Sequence, residues 1–199
     1  FNSDRTLQQD NELTQLPHEI ERWTPDGESL VWVKVPSFSS NAYIFAIWGD
    51  TFSTKPPASQ TDGSVWNGTY SGVWHLNTTN LLDSTANRHH GVGKAPQGYT
   101  PPGVISNGAI GTGLWLDPNE RQYVDFGGVN LGLAGDHSFA LEAWVRRAHY
   151  RDGDCTVSWG GPGVTNHFGF LSWHDGSIIT APDKTNAVPW ITTGAWQYV

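Results

Sequence analysis

The strongest candidate for acid–base chemistry is the run His18-Glu19-Ile20-Glu21. Glu19 and Glu21 are two residues apart, so on an extended strand both carboxylates project from one face. Two carboxylates flanking a sugar ring are what glycoside hydrolysis requires. A zinc protease would instead need H-E-x-x-H on a helix, and Arg22 fills the second His position. The pair therefore reads as a solvated strand face. Glu142 shares a run with Arg146, which could satisfy it as a plain ion-pair partner. Gly160-Gly161-Pro162-Gly163 lacks the Lys and Ser/Thr of a phosphate loop. Cys155 is the only cysteine, which excludes an intrachain disulfide, and it reads as a small buried apolar residue. These residues point to no reaction, so the expectation is a protein that is not an enzyme.

Binding chemistry is better represented. Asp83, Asn87 and the carbonyls between them offer hard oxygen ligands of the kind Ca²⁺ prefers. Ordinary turn formation is the competing use of Asp and Asn. His89-His90 does not make a transition-metal site, because adjacent side chains on an extended chain point to opposite faces. Trp173-His174 sits at the end of an apolar run, just before Asp175-Gly176. A Trp carried there on a loop could stack on a sugar, so Trp173 and His174 are the candidate carbohydrate-binding residues. Asn67-Gly68-Thr69 and Asn77-Thr78-Thr79 are glycosylation sequons, which arise readily by chance in a Thr-rich chain.

The elements that must position these groups are strands. The 199 residues include 23 Gly and 11 Trp but no Met, and only 15% are charged. Such a composition suits short strands and tight turns. The net charge of −8 supplies no basic stripe for phosphates, so nucleic acid is excluded as a partner. No apolar run approaches the ~18 to 20 residues of a membrane-spanning helix. Residues 16–23 and 29–36 read as strands around the turn Thr24-Pro25-Asp26-Gly27, and 42–49 reads as a central strand apolar on both faces. Residues 50–63 are rich in Pro, Ser and Thr. Strand candidates follow at 72–76, 112–116, 122–126, 138–147, 155–159, 167–173, 177–181 and 195–199, with no sustained helical period.

Pro17-His18-Glu19-Ile20-Glu21-Arg22-Trp23, Leu30 to Pro36 (L-V-W-V-K-V-P) and Ile44 to Gly49 (I-F-A-I-W-G) together resemble the bacterial DUF2341 domain. Gly72-Val73-Trp74-His75-Leu76, Asp83-Ser84-Thr85-Ala86-Asn87, Gly108 to Gly111, Tyr123 to Phe126 and Phe139 to Val145 resemble, in order, a LamG-like domain. The resemblance implies an all-β fold: a small antiparallel β unit followed by a concanavalin A-like jelly-roll sandwich. It divides the chain into a partial DUF2341-like domain at 1–52, a linker at 53–64 and an incomplete LamG-like domain at 65–199. It makes the Asp83–Asn87 loop a contributor to structural calcium, although Ala86 and Arg88 depart from the family pattern.

The expected function is a non-enzymatic recognition or adhesion segment of a larger bacterial surface or secreted protein, binding a glycan or a surface protein. The chain starts at Phe1 rather than Met, so this is not expected to be the translational start, which leaves room for a removed leader. One alternative is a structural subunit of a filament or surface layer, self-associating by strand completion from a neighbouring chain. The strand at 195–199 would lack its hairpin partner, which motivates that alternative. A weaker one is a fragment of a glycoside hydrolase or lyase, which the same fold also hosts.

Overall fold

Pro25 sets the first dihedral of a tight turn, and Gly27 closes it by donating to the Thr24 carbonyl at 3.2 Å. The Ser29 hydroxyl reinforces the turn, accepting from the Thr24 N–H and donating to its carbonyl. The turn joins strand β1 (His18–Arg22) to strand β2 (Leu30–Val33) as an antiparallel hairpin, with Glu19 opposite Trp32 and Ile20 opposite Val31. The register then slips, so Glu21 is an extra residue opposed by none of β2. Such a bulge re-aims the side chain it carries. The computed structural model describes residues 14–40, 43–49, 55–66, 68–128, 131, 139–149, 154–159, 168–172, 178–180, 187–188 and 193–199.

An edge strand exposes backbone donors and acceptors that invite another strand. Here two side chains occupy them. The Ser59 hydroxyl accepts from the His18 N–H at 3.2 Å and donates to the His18 carbonyl at 2.9 Å. The Gln60 amide accepts from the Ile20 N–H at 2.9 Å and donates to the Ile20 carbonyl at 3.1 Å. Both residues lie in a 3-10 turn, Ala58–Gln60. The segment expected as a linker is therefore attached to the hairpin.

The chain forms two compact units, 1–131 and 132–199. In the first, β3 (Val92–Lys94), β4 (Gly103–Ile105), β5 (Gly113–Trp115) and β6 (Tyr123–Asp125) make two further hairpin-like pairs, β3 with β6 and β4 with β5. Residues 72–76 contribute only an isolated bridge between Trp74 and Asp83. Close approach fixes one glycine: a Cβ on Gly63 would lie 2.3 Å from the Ala86 nitrogen, at φ +81°. Val65, Leu81 and Pro102 are buried apolar side chains, whereas His18, Asp83, Thr85 and Arg147 are buried polar ones.

In the second unit, β7 (Trp144–Val145) pairs with β12 (Gln197–Tyr198), while β8 (Asp154–Trp159), β9 (Phe168–Ser172), β10 (Ile178–Thr180) and β11 (Ala187–Val188) form an antiparallel meander. The fold is all-β, with antiparallel sheets of two or four strands among the described residues.

Three expectations are corrected. Residues 43–49 form no strand, and Tyr43 (82%) and Trp48 (66%) are exposed. A run apolar on both faces needs sheet neighbours, and the described strands provide none. Among the described residues of the long expected strand at 138–147, only Trp144–Val145 is strand, and Trp144 is exposed, packed against Tyr198 at 5.4 Å. The strand near 195–199 has its partner within the chain: Gln197 lies opposite Val145, and Ala143 and Val199 exchange two 2.9 Å backbone bonds.

Replacing Gln60 with Ala removes both substitutes for a strand partner at Ile20. A loss of about 1–3 kcal/mol in urea unfolding is expected, with Gln60→Glu intermediate because it retains only the acceptor.

Candidate functional site

The hairpin face that carries Glu19 and Glu21 is not solvated, which corrects the sequence-based expectation. The Glu21 side chain is only 4% exposed and the Glu19 side chain 15%. Their partners come from far along the chain. The Trp66 indole N–H donates to Glu19 Oε2 at 2.6 Å, and the Ser84 hydroxyl to Glu19 Oε1 at 2.7 Å. Trp32, across the hairpin, donates its indole N–H to Glu21 Oε2 at 2.6 Å. His75 lies between the two carboxylates, its Nε2 3.4 Å from Glu19 Oε1 and its Nδ1 3.8 Å from Glu21 Oε2. Its ring stacks on Trp32 at 5.2 Å and 18°.

Burial pushes the Glu19 carboxyl up, but contacts from His75, Trp66 and Ser84 outweigh it and hold the group below the ordinary value of 4.5. The His75 contact is long for a hydrogen bond, so the short Trp66 and Ser84 bonds are the better-formed part of that stabilisation. Three of the pair's four oxygens accept short hydrogen bonds, and both side chains expose little surface.

What the pair does is orient aromatics. Trp32 and Trp66 are 5.4 Å apart and inclined at 59°, and Tyr70 meets Trp66 edge-on at 5.7 Å. These three rings, with Lys34, Pro36 and Val65, line a groove of about 480 Å³. That volume lies within the range of small-ligand clefts, roughly 300–1,000 Å³. Both indole N–H groups are committed to carboxylates, so the tryptophans offer the groove hydrocarbon faces rather than free donors.

No protein-family model, curated protein or solved structure matches the chain.

Of the expected site residues, Trp173 and His174 lie outside the described residues. Asp83 and Asn87 are described, and their geometry does not fit a cation. Asp83 is fully buried. Its Oδ1 accepts from the backbone N–H groups of Val73 and Thr85, at 3.0 and 2.9 Å. Its Oδ2 accepts from the Thr85 hydroxyl and the His89 N–H, at 2.8 and 2.9 Å. These four donors occupy the acceptor capacity a calcium ion would need. Asn87 turns its amide nitrogen to the Ser71 carbonyl at 3.1 Å. Both residues organise the loop. Glu142 accepts from the Tyr198 hydroxyl, while Arg146 lies over the Trp196 ring at 5.2 Å, so the anticipated Glu142–Arg146 pairing is replaced by aromatic partners.

Sequence reasoning missed Trp32, Lys34, Trp66, Tyr70 and His75 as site residues. One signal was available: Trp32, Lys34 and Pro36 alternate, which puts them on one face of an extended segment. No local pattern connects them to Trp66 or His75.

The low Glu19 pKa fixes the sign of an acid effect. The fold favours the ionised form, so its stabilisation is complete above pH about 4.5 and is lost as pH falls through the folded value. Asp62, held low by Ser64, and Asp125, held low by Lys94, titrate nearby at the surface. Comparison with Glu19→Gln isolates the buried group. The variant should be less stable at pH 7 and show a flatter acid limb in thermal melts between pH 6 and 3.

Proposed function

We propose that this chain is a non-enzymatic extracellular recognition segment of a larger bacterial surface or secreted protein, and that its groove binds carbohydrate. The aromatic groove carries the reading: Trp32, Trp66 and Tyr70 line one cleft, and buried carboxylates hold the two indoles in fixed orientation. Rigid aromatic faces suit the C–H faces of a pyranose, and preorganisation removes the ordering cost of binding. Extended peptides carry carbonyls that need donors, and the indole donors are already used. The resemblance to DUF2341 and LamG-like domains supports secretion and a jelly-roll scaffold around residues 65–199. A glycan array followed by calorimetry on the hits tests the reading. Tyr70→Ala, at the exposed side of the groove, should weaken binding about tenfold with only a small fall in the melting temperature, because its edge-on contact with Trp66 is lost. Absence of binding to any glycan, or binding unaffected by Tyr70→Ala, would overturn it.

The exposed, uncharged run at 43–49 favours the second reading, a structural subunit completed by strands from a neighbouring copy. Its expected signature is concentration-dependent assembly in light scattering that Ile44→Lys plus Trp48→Lys abolishes. A monodisperse monomer at high concentration excludes it.

A further inference from the structure

Resting on the carbohydrate reading of the groove, we propose that its ligand carries a carboxylate, as a hexuronic-acid residue within an otherwise sparsely charged glycan, and that Lys34 selects for it. Lys34 is the charged side chain among the residues lining the groove, and the others there are apolar or aromatic. Its Nζ donates to the Ser64 carbonyl at 3.1 Å, which anchors the ammonium beside Trp66. That bond uses one of three donors and leaves two for a ligand. Among the described residues no carboxylate lies within ion-pair distance of it. Glu28, the nearest acidic residue in sequence, is paired with Arg22, and Asp62, two residues before Ser64, is engaged by the Ser64 N–H.

In a chain of net charge −8, where Arg22 pairs with Glu28 and Lys94 with Asp125, Lys34 is a half-buried cation at the groove whose hydrogen-bond partner is a backbone carbonyl. The aromatic faces take the sugar ring and the ammonium takes its C6 carboxylate. The same net charge repels densely anionic chains at long range. Isolated carboxylates, screened from one another by neutral residues, fit both constraints.

The test uses one oligosaccharide skeleton in two charge states. The probes are a hexasaccharide alternating glucuronate with N-acetylglucosamine, and its carboxyl-reduced neutral form. The acidic probe should bind the full chain roughly fivefold more tightly, the scale of one partly exposed ion pair, with the difference shrinking in higher salt. Lys34→Gln, which keeps a donor for Ser64, should bring the ratio of the two probes' affinities to one, and Lys34→Arg should restore it. Equal affinity for the two probes overturns the inference and leaves carbohydrate recognition standing. Selectivity that persists in Lys34→Gln also overturns it. If neither probe binds, the inference fails, and the glycan array then decides whether the groove reading fails with it. Competition of the acidic probe by an acidic peptide rather than by free glucuronate would point to a protein ligand and overturn the proposal.

Discussion

Burying a carboxylate is unfavourable unless donors replace its lost water, and at Glu19 each replacement comes from a different part of the chain. Trp66 brings the segment after the 3-10 turn and Ser84 brings the loop that Asp83 organises, while His75, from the stretch between them, lies at 3.4 Å without a hydrogen bond. The hairpin, the turn and the loop are thereby held at one point by a group that none of them can release without leaving a charge unsatisfied. In the first unit this anchoring accompanies a small set of buried apolar side chains, Val65, Leu81 and Pro102, among the described residues.

Asp83 plays the corresponding part inside its loop. Its four acceptor contacts gather Val73, Thr85 and His89, and the His89 carbonyl then receives the Trp74 indole N–H at 2.7 Å. Trp74 in turn packs on Phe126 at 4.5 Å. Polar organisation and aromatic packing are one network. Leu81 sits in this neighbourhood at φ +45°, a conformation unfavourable for a side chain of its size, and its burial to 2% is the compensating gain.

Local signals made part of this legible. The Pro-Asp-Gly turn, the hairpin it closes and most strands of the second unit follow from short-range pattern. Strands β3 and β4, V-G-K and G-V-I, escaped because three residues containing a glycine carry no readable period. The burial of Glu19 escaped for another reason: Trp66 and Ser84 are 47 and 65 positions away, and an alternating strand looks the same whether its polar face meets water or indoles. At Tyr43–Gly49 the opposite error arose, since hydrophobicity records an affinity for neighbours without specifying that they are present.

The Ser59 and Gln60 contacts with β1 match two different repeats. Groups on the same edge of a strand recur every second residue, roughly 6.6 Å apart, whereas the side chains meeting them are consecutive in a 3-10 turn. The two spacings coincide only while Ser59 and Gln60 remain adjacent. A surface connection ordinarily accommodates insertions freely, but one residue added between these two would move the amide out of step with Ile20 while the hydroxyl stayed on His18. The segment that looks most like a spacer is therefore among the least tolerant of a change in length.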